Sequence, residues 1–362
     1  MNTAARMRQV WTIARLQLRR VFFSRRSFWV YFLALFPCVI FIGHGLDVKF
    51  RRQRWSPRAT NPAVIESIRE GDTDEDVIKR AGKPINDNTY GRRRRRGNGA
   101  EADDEPVRRH MMYFDGNRRW DLDFEAGILQ RKGNRFLVNF EEDRKIFAGV
   151  FQYFFLRLAI FFGCLGIFMN LFRGEMLDKT LHFWFLAPAR REVLLAGKYL
   201  AGLIAAVVIF TAGAALSYAA MLWPQDPAQV DAFWRTQGLS HIFWYGASAA
   251  LGCVGYGSVF LAAGLLLRNP IIPAVVILLW EGVNGILPAA LQKISVLYYV
   301  QSLCPIPAPT DEHAPVLIRL LMSPAEPPST AVAVFGLLGV TTLVLWAASR
   351  AVRRLEINYG VD

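Results

Sequence analysis

Cysteine and histidine are scarce in this chain, with four and five among 362 residues. Cys38, Cys164 and Cys253 lie inside apolar runs and Cys304 stands alone in a loop. No C-x-x-C pair and no metal-ligand spacing occurs, so the sequence indicates neither a disulfide framework nor a zinc site, and no cofactor is expected. No G-x-x-x-x-G-K-[ST] run occurs, so the chain has no phosphate loop and is not expected to bind nucleotide. Charge is nearly missing from the long stretches after Ala148. An intramembrane protease needs His, Glu or Asp pairs, or Ser with His, in neighbouring spans. Glu281, Arg157 and His241 at a span edge, with His182 and His313 on opposite sides, make no such constellation. Catalysis by this chain is therefore not expected. No A-x-A pattern follows the first apolar run, which reads as an uncleaved helix in preference to a signal peptide.

What is present is apolar: 53% hydrophobic and 13% aromatic residues, with a mean hydropathy of +0.21. The charge is uneven, because residues 46–146 are dense in Arg, Asp and Glu. This asymmetry indicates a polytopic α-helical membrane protein carrying one soluble insert. The net charge of +13 does not imply nucleic acid, since many of the basic residues flank apolar spans.

A span needs about 20 apolar residues. Six candidates follow, at 28–46, 149–172, 195–222, 241–267, 271–291 and 329–349. The first is short, and Pro37 bends it. Short-loop charge sets the orientation. Arg6 to Arg26 precede the first span. Arg173, Lys179, Arg190, Arg191 and Lys198 lie between the second and third. Arg268 and the tail Arg350, Arg353 and Arg354 fall on that same side. The opposite loops hold only Arg235, Lys293 and Arg319. Both termini are thus expected in the cytoplasm, and the insert outside. The expected organisation is an elbow segment 1–27, a first span 28–46, an extracytoplasmic α+β insert 47–146, and the remaining spans in 147–362 with a cytoplasmic tail.

Within residues 4–26, Val10, Ala14, Leu18, Val21 and Phe22 form one helical stripe, and Arg8, Arg15, Arg19 and Arg26 another. This is either a helix lying among lipid headgroups or a plain basic flank. In the insert, residues 63–82 read as a helix, with Thr73 capping its second half and Gly82-Lys-Pro84 stopping it. Residues 87–106, including Arg92–Arg96, read as a disordered polar loop, with acidic headgroups or envelope polyanions as partners for the Arg run. Met111–Phe114, Arg119–Phe124 and Ile128–Gln130 read as strands, joined by turns at Asp115-Gly116 and Ala126-Gly127. Between spans five and six, Ile294–Leu303 and Val316–Met322 are too short to cross and read as interfacial or re-entrant pieces.

Residues 173–198 are the most informative: Arg173-Gly-Glu175-Met-Leu-Asp178-Lys-Thr180-Leu181, then aromatics, Pro188-Ala-Arg190-Arg191, and Gly197-Lys198. Residues 173–191 of it read as a short amphipathic cytoplasmic helix between two spans, suited to docking on a soluble partner or to lying as a plain interfacial loop. The stretch resembles the coupling-helix segment of ABC-2 type permeases, which carry E-x-x-x-x-T-L, a Pro followed by basic residues, and G-K opening the next span. The span order, elbow helix and large first outside loop are similar too. The resemblance covers roughly 260 residues, everything but the insert. It implies an exporter's membrane half, with ATP hydrolysed by a separate subunit that docks on Glu175, Asp178, Thr180, Leu181, Pro188, Arg190 and Arg191. A second permease chain, identical or different, would complete the pathway in a bacterial inner membrane. Trp280-Glu281-Gly282 resembles an acidic position of some members.

Intramembrane acids face a bundle or a cavity, so Glu281 is expected either in the pathway or in a structural ion pair, with Arg157 its candidate partner. Arg157 could alternatively snorkel near the outer interface. Gly246, Ala250, Gly252, Gly255, Gly257 and Gly264 in span four indicate close helix packing. Over about sixty residues the insert resembles the small lipoprotein fold of the outer-membrane barrel-assembly machinery. The residues are Ile68, Gly71, Thr73, Val77, Gly82 and Pro84, followed by Phe124-Glu-Ala-Gly127-Ile128-Leu129. That implies helices on a small antiparallel sheet, acting as a site for an extracytoplasmic protein or as a spacer. The alternative to a transporter is an anchor or sensor whose working part is this insert.

Overall fold

The computed structural model describes residues 3–23, 27–90, 107–177, 184, 186, 190–267, 271–284, 287, 289–307 and 327–353. The chain divides into two units. One holds Met1–Phe41, Arg144–Leu222 and Pro227–Asp362, and the other Ile42–Asp143 with Trp223–Asp226.

The larger unit is helical. Helix α1 (Thr3–Phe23) is followed by α2 (Ser27–Trp55), whose apolar first part belongs here. Pro37 sits inside α2, which runs unbroken to Trp55. The first span is therefore not short: the helix continues past Leu46 through Lys49, Arg51, Arg52 and Arg54, where charge hides it from a hydropathy reading. Helices α3 (Pro62–Ser67) and α4 (Asp74–Ala81) belong to the smaller unit. Then come α5 (Phe140–Gly149), a π-helical stretch Val150–Ala159, and α6 (Ile160–Leu177). They are followed by α7 (Arg191–Leu222), α8 (Pro227–Phe233), a π turn Trp234–Gly238, and α9 (Leu239–Leu266). Last are α10 (Ile271–Val283), α11 (Ala289–Gln292), α12 (Val296–Ser302) and α13 (Thr330–Arg353).

Five helical runs among the described residues are long and apolar enough to cross a membrane: Phe28–Arg58, Phe140–Phe172, Arg191–Leu222, Pro227–Leu266 and Thr330–Arg353. The expected fifth span, 271–291, is not a single long helix. Its helix α10 ends at Val283, after 13 residues. At 1.5 Å per residue this reaches about 20 Å, short of a ~30 Å hydrocarbon core. Gly282 and Pro288 interrupt the apolar run, and Pro removes a backbone donor.

Helix α9 is the hub, packing on α6, α7, α12 and α13. Its small residues admit these neighbours. A Cβ on Gly257 would meet the Phe168 ring at 2.5 Å, and one on Gly264 the Met169 backbone at 3.0 Å. Gly246 is different, for nothing lies within 4 Å of a Cβ there. Many large apolar side chains of the bundle remain exposed, among them Phe32, Val208, Phe243, Phe335 and Leu343. Such a surface is expected of helices that lipid covers.

The smaller unit is built on a four-stranded antiparallel meander of β1 (Asn86–Tyr90), β2 (Arg108–Phe114), β3 (Arg118–Glu125) and β4 (Ile128–Phe136), in that order. In β3 the alternation is strict, with Trp120, Leu122 and Phe124 inward. They meet Ile65 and Ile68 of the α3 region, Val77 and Ala81 of α4, Met111, Tyr113 and Leu129 in one closed core. The expected single helix over 63–82 is two helices. Gly71, at φ 98°, turns the chain between them, and this turn pairs with β4 through Gly71 N–H to Leu129 O at 2.9 Å. The Thr73 hydroxyl caps α4 by accepting from Asp76 N, and Gly82, at φ 80°, ends it. Of the residues of the lipoprotein-like opening, Ile68 and Val77 are core positions, Thr73 is a cap, and Gly71 and Gly82 are turns. Residues 87–90, expected as loop, belong to edge strand β1, while 91–106 lie outside the described residues.

Polar side chains tie the sheet to the helices. Lys132 donates to Ile65 O and Ile68 O, both at 2.7 Å, closing the carbonyl end of α3. Its partial burial pushes the ammonium pKa down. Arg109 bridges Asp74 and Asp87, each at 2.7 Å, and the Arg109 hydrogen bond holds the Asp87 carboxyl below its usual range. Burial opposes ionisation of Asp115, but the Trp120 indole and the Arg118 and Asn117 amides outweigh it, so its pKa is lowered too. A carboxyl lowered in the fold contributes stability fully above its unfolded value of about 3.9, and loses it as pH falls through the folded value. Amide protection in β2 and β3, corrected for intrinsic exchange, should therefore hold from about pH 7 to 5 and decline below about 4. Hydrogen exchange across that range checks this, and protection rising on acidification would contradict it.

Candidate functional site

The charge missing from the spans reappears, buried, where α6 ends and α7 begins. Glu175 in the last turn of α6 is 3% exposed, and Lys198 in the second turn of α7 is fully buried. The Lys198 ammonium donates to the Glu175 carboxylate and to Leu171 O. It also lies 4.7 Å from the Phe172 ring centre and 5.5 Å from that of Trp184, where the ring faces favour a cation. The other Glu175 oxygen accepts from Gln17 Nε2 at 2.8 Å, and Arg20 Nη1 stands 3.7 Å away. Three helices are thereby joined through one carboxylate.

Helix α1 reaches this position because it packs along α7. Its buried face is Ile13, Ala14 and Gln17, with Val10 beside them. The apolar stripe therefore rests largely on protein, while Met7, Trp11, Leu16 and Phe23 stay exposed among the arginines. Gly197 makes the notch. A Cβ there would sit 2.7 Å from Ile13 Cβ and 3.0 Å from Val10 O. In the Gly197-Lys198 pair, the glycine admits the elbow helix and the lysine neutralises Glu175.

The α7 end also meets α13. Arg191 Nη1 donates to Val352 O at 3.4 Å and Arg353 O at 3.3 Å, and Arg353 pairs with Glu192. Arg190 is exposed, and its carbonyl accepts from Val193 N at 2.9 Å to start α7. Asp178, Thr180, Leu181 and Pro188 lie outside the described residues. Of the expected docking set, Glu175 is an interior residue and Arg191 a helix-end tie. Gln17 and Arg20 had no signal beyond their place on the elbow helix. Lys198 had one, as a lone lysine inside an apolar run.

Glu281 is buried at 3% exposure, and Arg157 is not its partner. The carboxylate instead accepts from Ser295 Oγ and from Val296 N at 3.1 Å. Ser295 in turn caps α12 by accepting from Tyr298 N at 3.2 Å. Glu281 thus clamps α10 onto the start of α12, a short-range arrangement that the distance in sequence to Arg157 obscured. Arg157 lies in the π-helical stretch, its guanidinium 5.8 Å from the Tyr153 ring centre. Among the described residues no group of His, Cys, Asp and Glu could hold a metal. In the smaller unit, Arg54, Trp55, Arg58, Ile85, Asn86 and Met112 line a cleft of about 610 Å³.

By helix length and composition, then, this is a helical chain with several potential membrane spans and a small antiparallel sheet. No family model, no curated protein and no solved structure matches it.

Removing one member of a buried ion pair costs about 3–5 kcal/mol, whereas replacing both by apolar residues is often neutral. Glu175→Leu or Lys198→Met alone should lower thermal stability in detergent by that order, and the double variant should recover most of it. Equal loss in single and double variants would show that the two charges are not coupled. At the second site, Ser295→Ala should cost about 1–3 kcal/mol by leaving a buried acceptor short of a donor. Arg157→Met should leave the infrared carboxyl band of Glu281 unmoved.

Proposed function

We propose that the chain is the membrane-spanning permease subunit of an ABC-2 type, ATP-driven exporter. It would work with a separate ATP-binding subunit and a second permease chain, in the cell membrane with both termini cytoplasmic. The observation that carries this reading is the Glu175–Lys198 pair with its Gln17 and Arg20 contacts. Residues 178–190 connect α6 to α7 and contain the coupling-like pattern. A push on that connection enters the bundle through two helices already locked to each other and to α1. It would therefore move the joint as one body instead of fraying a loop. In this reading Asp178, Thr180, Leu181, Pro188 and Arg190 meet the ATPase, while Glu175 transmits within the bundle. The earlier expectation that Glu175 itself touches the partner gives way to this division, because its carboxylate is enclosed.

The second reading, an anchor or sensor, draws on one observation: the smaller unit closes its own core around Trp120, Leu122 and Phe124. A unit of that kind suits an extracytoplasmic protein partner under either reading.

Purification from native cells with mass spectrometry should recover a stoichiometric ATP-binding subunit. Pro188→Ala with Arg190→Glu should release it while the chain stays folded and inserted. Recovery only of proteins held through residues 47–146 would replace the exporter with the anchor.

A further inference from the structure

Arginine in the smaller unit is mostly paired. Arg51, Arg80, Arg108, Arg109, Arg118 and Arg119 each lie 2.7–3.8 Å from a carboxylate. Arg54 and Arg58 are exceptions. Both are exposed, and among the described residues neither guanidinium has an ion pair or a hydrogen bond. Both line the cleft of about 610 Å³ that Trp55, Pro57, Ile85, Asn86 and Met112 complete, and no carboxylate lines it.

The walls of this cleft are tied to one strand. Helix α2 runs through Arg54 to Trp55, and the 3₁₀ turn Ser56–Arg58 carries Arg58 onward. That wall is fixed to β2 by the Trp55 ring, 5.6 Å from the Phe114 ring, and by Thr60 N–H donating to Phe114 O at 2.8 Å. The opposite wall is fixed by Ile85 N–H donating to Met112 O at 2.8 Å and by the pairing of Asn86 with Met112. Met112 alternates with the core residues Met111 and Tyr113, so the cleft lies on the sheet face away from the core.

Two guanidiniums, an indole N–H and a carboxamide supply donors beside the apolar surface of Pro57, Ile85 and Met112. The guanidinium fork matches the paired oxygens of an oxyanion. Two positive charges with no acid beside them complement a phosphate monoester, which carries about −1.5 to −2 at pH 7, better than a carboxylate with a single charge. The volume falls within the range of about 300–1,000 Å³ usual for ligand pockets. It exceeds what a bare phosphate fills, and the apolar surface suits a hydrocarbon or aromatic group attached to it.

We propose that this cleft binds a phosphate monoester bearing an apolar group. Arg54 and Arg58 hold the phosphate, and the apolar group rests on Trp55, Ile85 and Met112. The phosphate belongs either to a soluble ester or to a lipid headgroup. The site stands whether the chain is an exporter or an anchor.

The test titrates phenyl phosphate into the full chain in neutral detergent, by calorimetry. Binding should be one to one. Arg54→Gln and Arg58→Gln should each weaken it at least about tenfold, the size expected for losing a hydrogen bond to a charged group. Arg52→Gln removes the same charge from an exposed side chain outside the cleft, and should change affinity less than about twofold, since an exposed charge is screened. Thermal stability without ligand should be unchanged in all three. Benzoate should bind at least about tenfold more weakly than phenyl phosphate, for want of the second charge. Phosphatidylcholine nanodiscs then separate the sources. If added phosphatidic acid weakens phenyl phosphate binding more than added phosphatidylglycerol does, the lipid headgroup is the ligand. If the two lipids act alike, the soluble ester is. No binding of phenyl phosphate, equally tight binding of benzoate, or an equal loss from Arg52→Gln would each overturn the proposal.

Discussion

A lysine and a glutamate removed from water together set the arrangement at one end of the helical unit. Taking either charge alone into a helical interior costs several kcal/mol, and each is tolerated here because the other is within hydrogen-bond reach. The requirement propagates. Glu175 has to end α6 and Lys198 has to begin α7 at one place, and Gln17 can complete the carboxylate only if α1 lies alongside. Gly197 is the steric counterpart, since any side chain there would push α1 off its seat. The Arg191 and Glu192 contacts then bring the end of α13 to the same level.

A second carboxylate acts by the same economy over a shorter range. Glu281 satisfies Ser295 and the first amides of α12, so that α10 and α12 are held together by a buried acid that needs no counter-ion. An acid in an apolar run reads as a pathway residue or half of an ion pair. Here, hydrogen-bond donors at a helix start serve instead. The two sites differ in what they fix: Glu175 joins helices far apart in sequence, Glu281 a local turn.

What could be read in advance follows from which residues carry a pattern. Strand β3 was legible because Trp120, Leu122 and Phe124 alternate with polar neighbours. The far half of β4, Arg131 to Phe136, and all of β1, Asn86 to Tyr90, were not, since edge strands need no apolar face and charge on them prevents stray pairing. The extension of α2 to Trp55 was hidden in the same way, because hydropathy marks the membrane-crossing part of a helix and not where the helix stops. The apolar run 271–291 differs in the opposite direction: hydrophobicity persists past Val283, where helix α10 ends. Glu175 and Lys198 were each conspicuous, but their contact crosses a connection whose path no periodicity encodes.

The π-helical stretch Val150–Ala159 has a consequence of its own. Hydrogen bonds that reach five residues back accommodate an extra residue in each turn. For each such residue absorbed as α-helical bonding is restored, everything on one side of the stretch would rotate by about 100° relative to the other, the angle between neighbours on an α-helix. The direction in which Arg157 points is therefore a matter of bonding phase, held by Phe151, Phe155 and Ala159 on the packed side. Inserting or deleting a single residue between Gly149 and Ile160 would act like turning a dial. It would leave helix content and hydrophobicity nearly unchanged while presenting a different set of side chains to the interior.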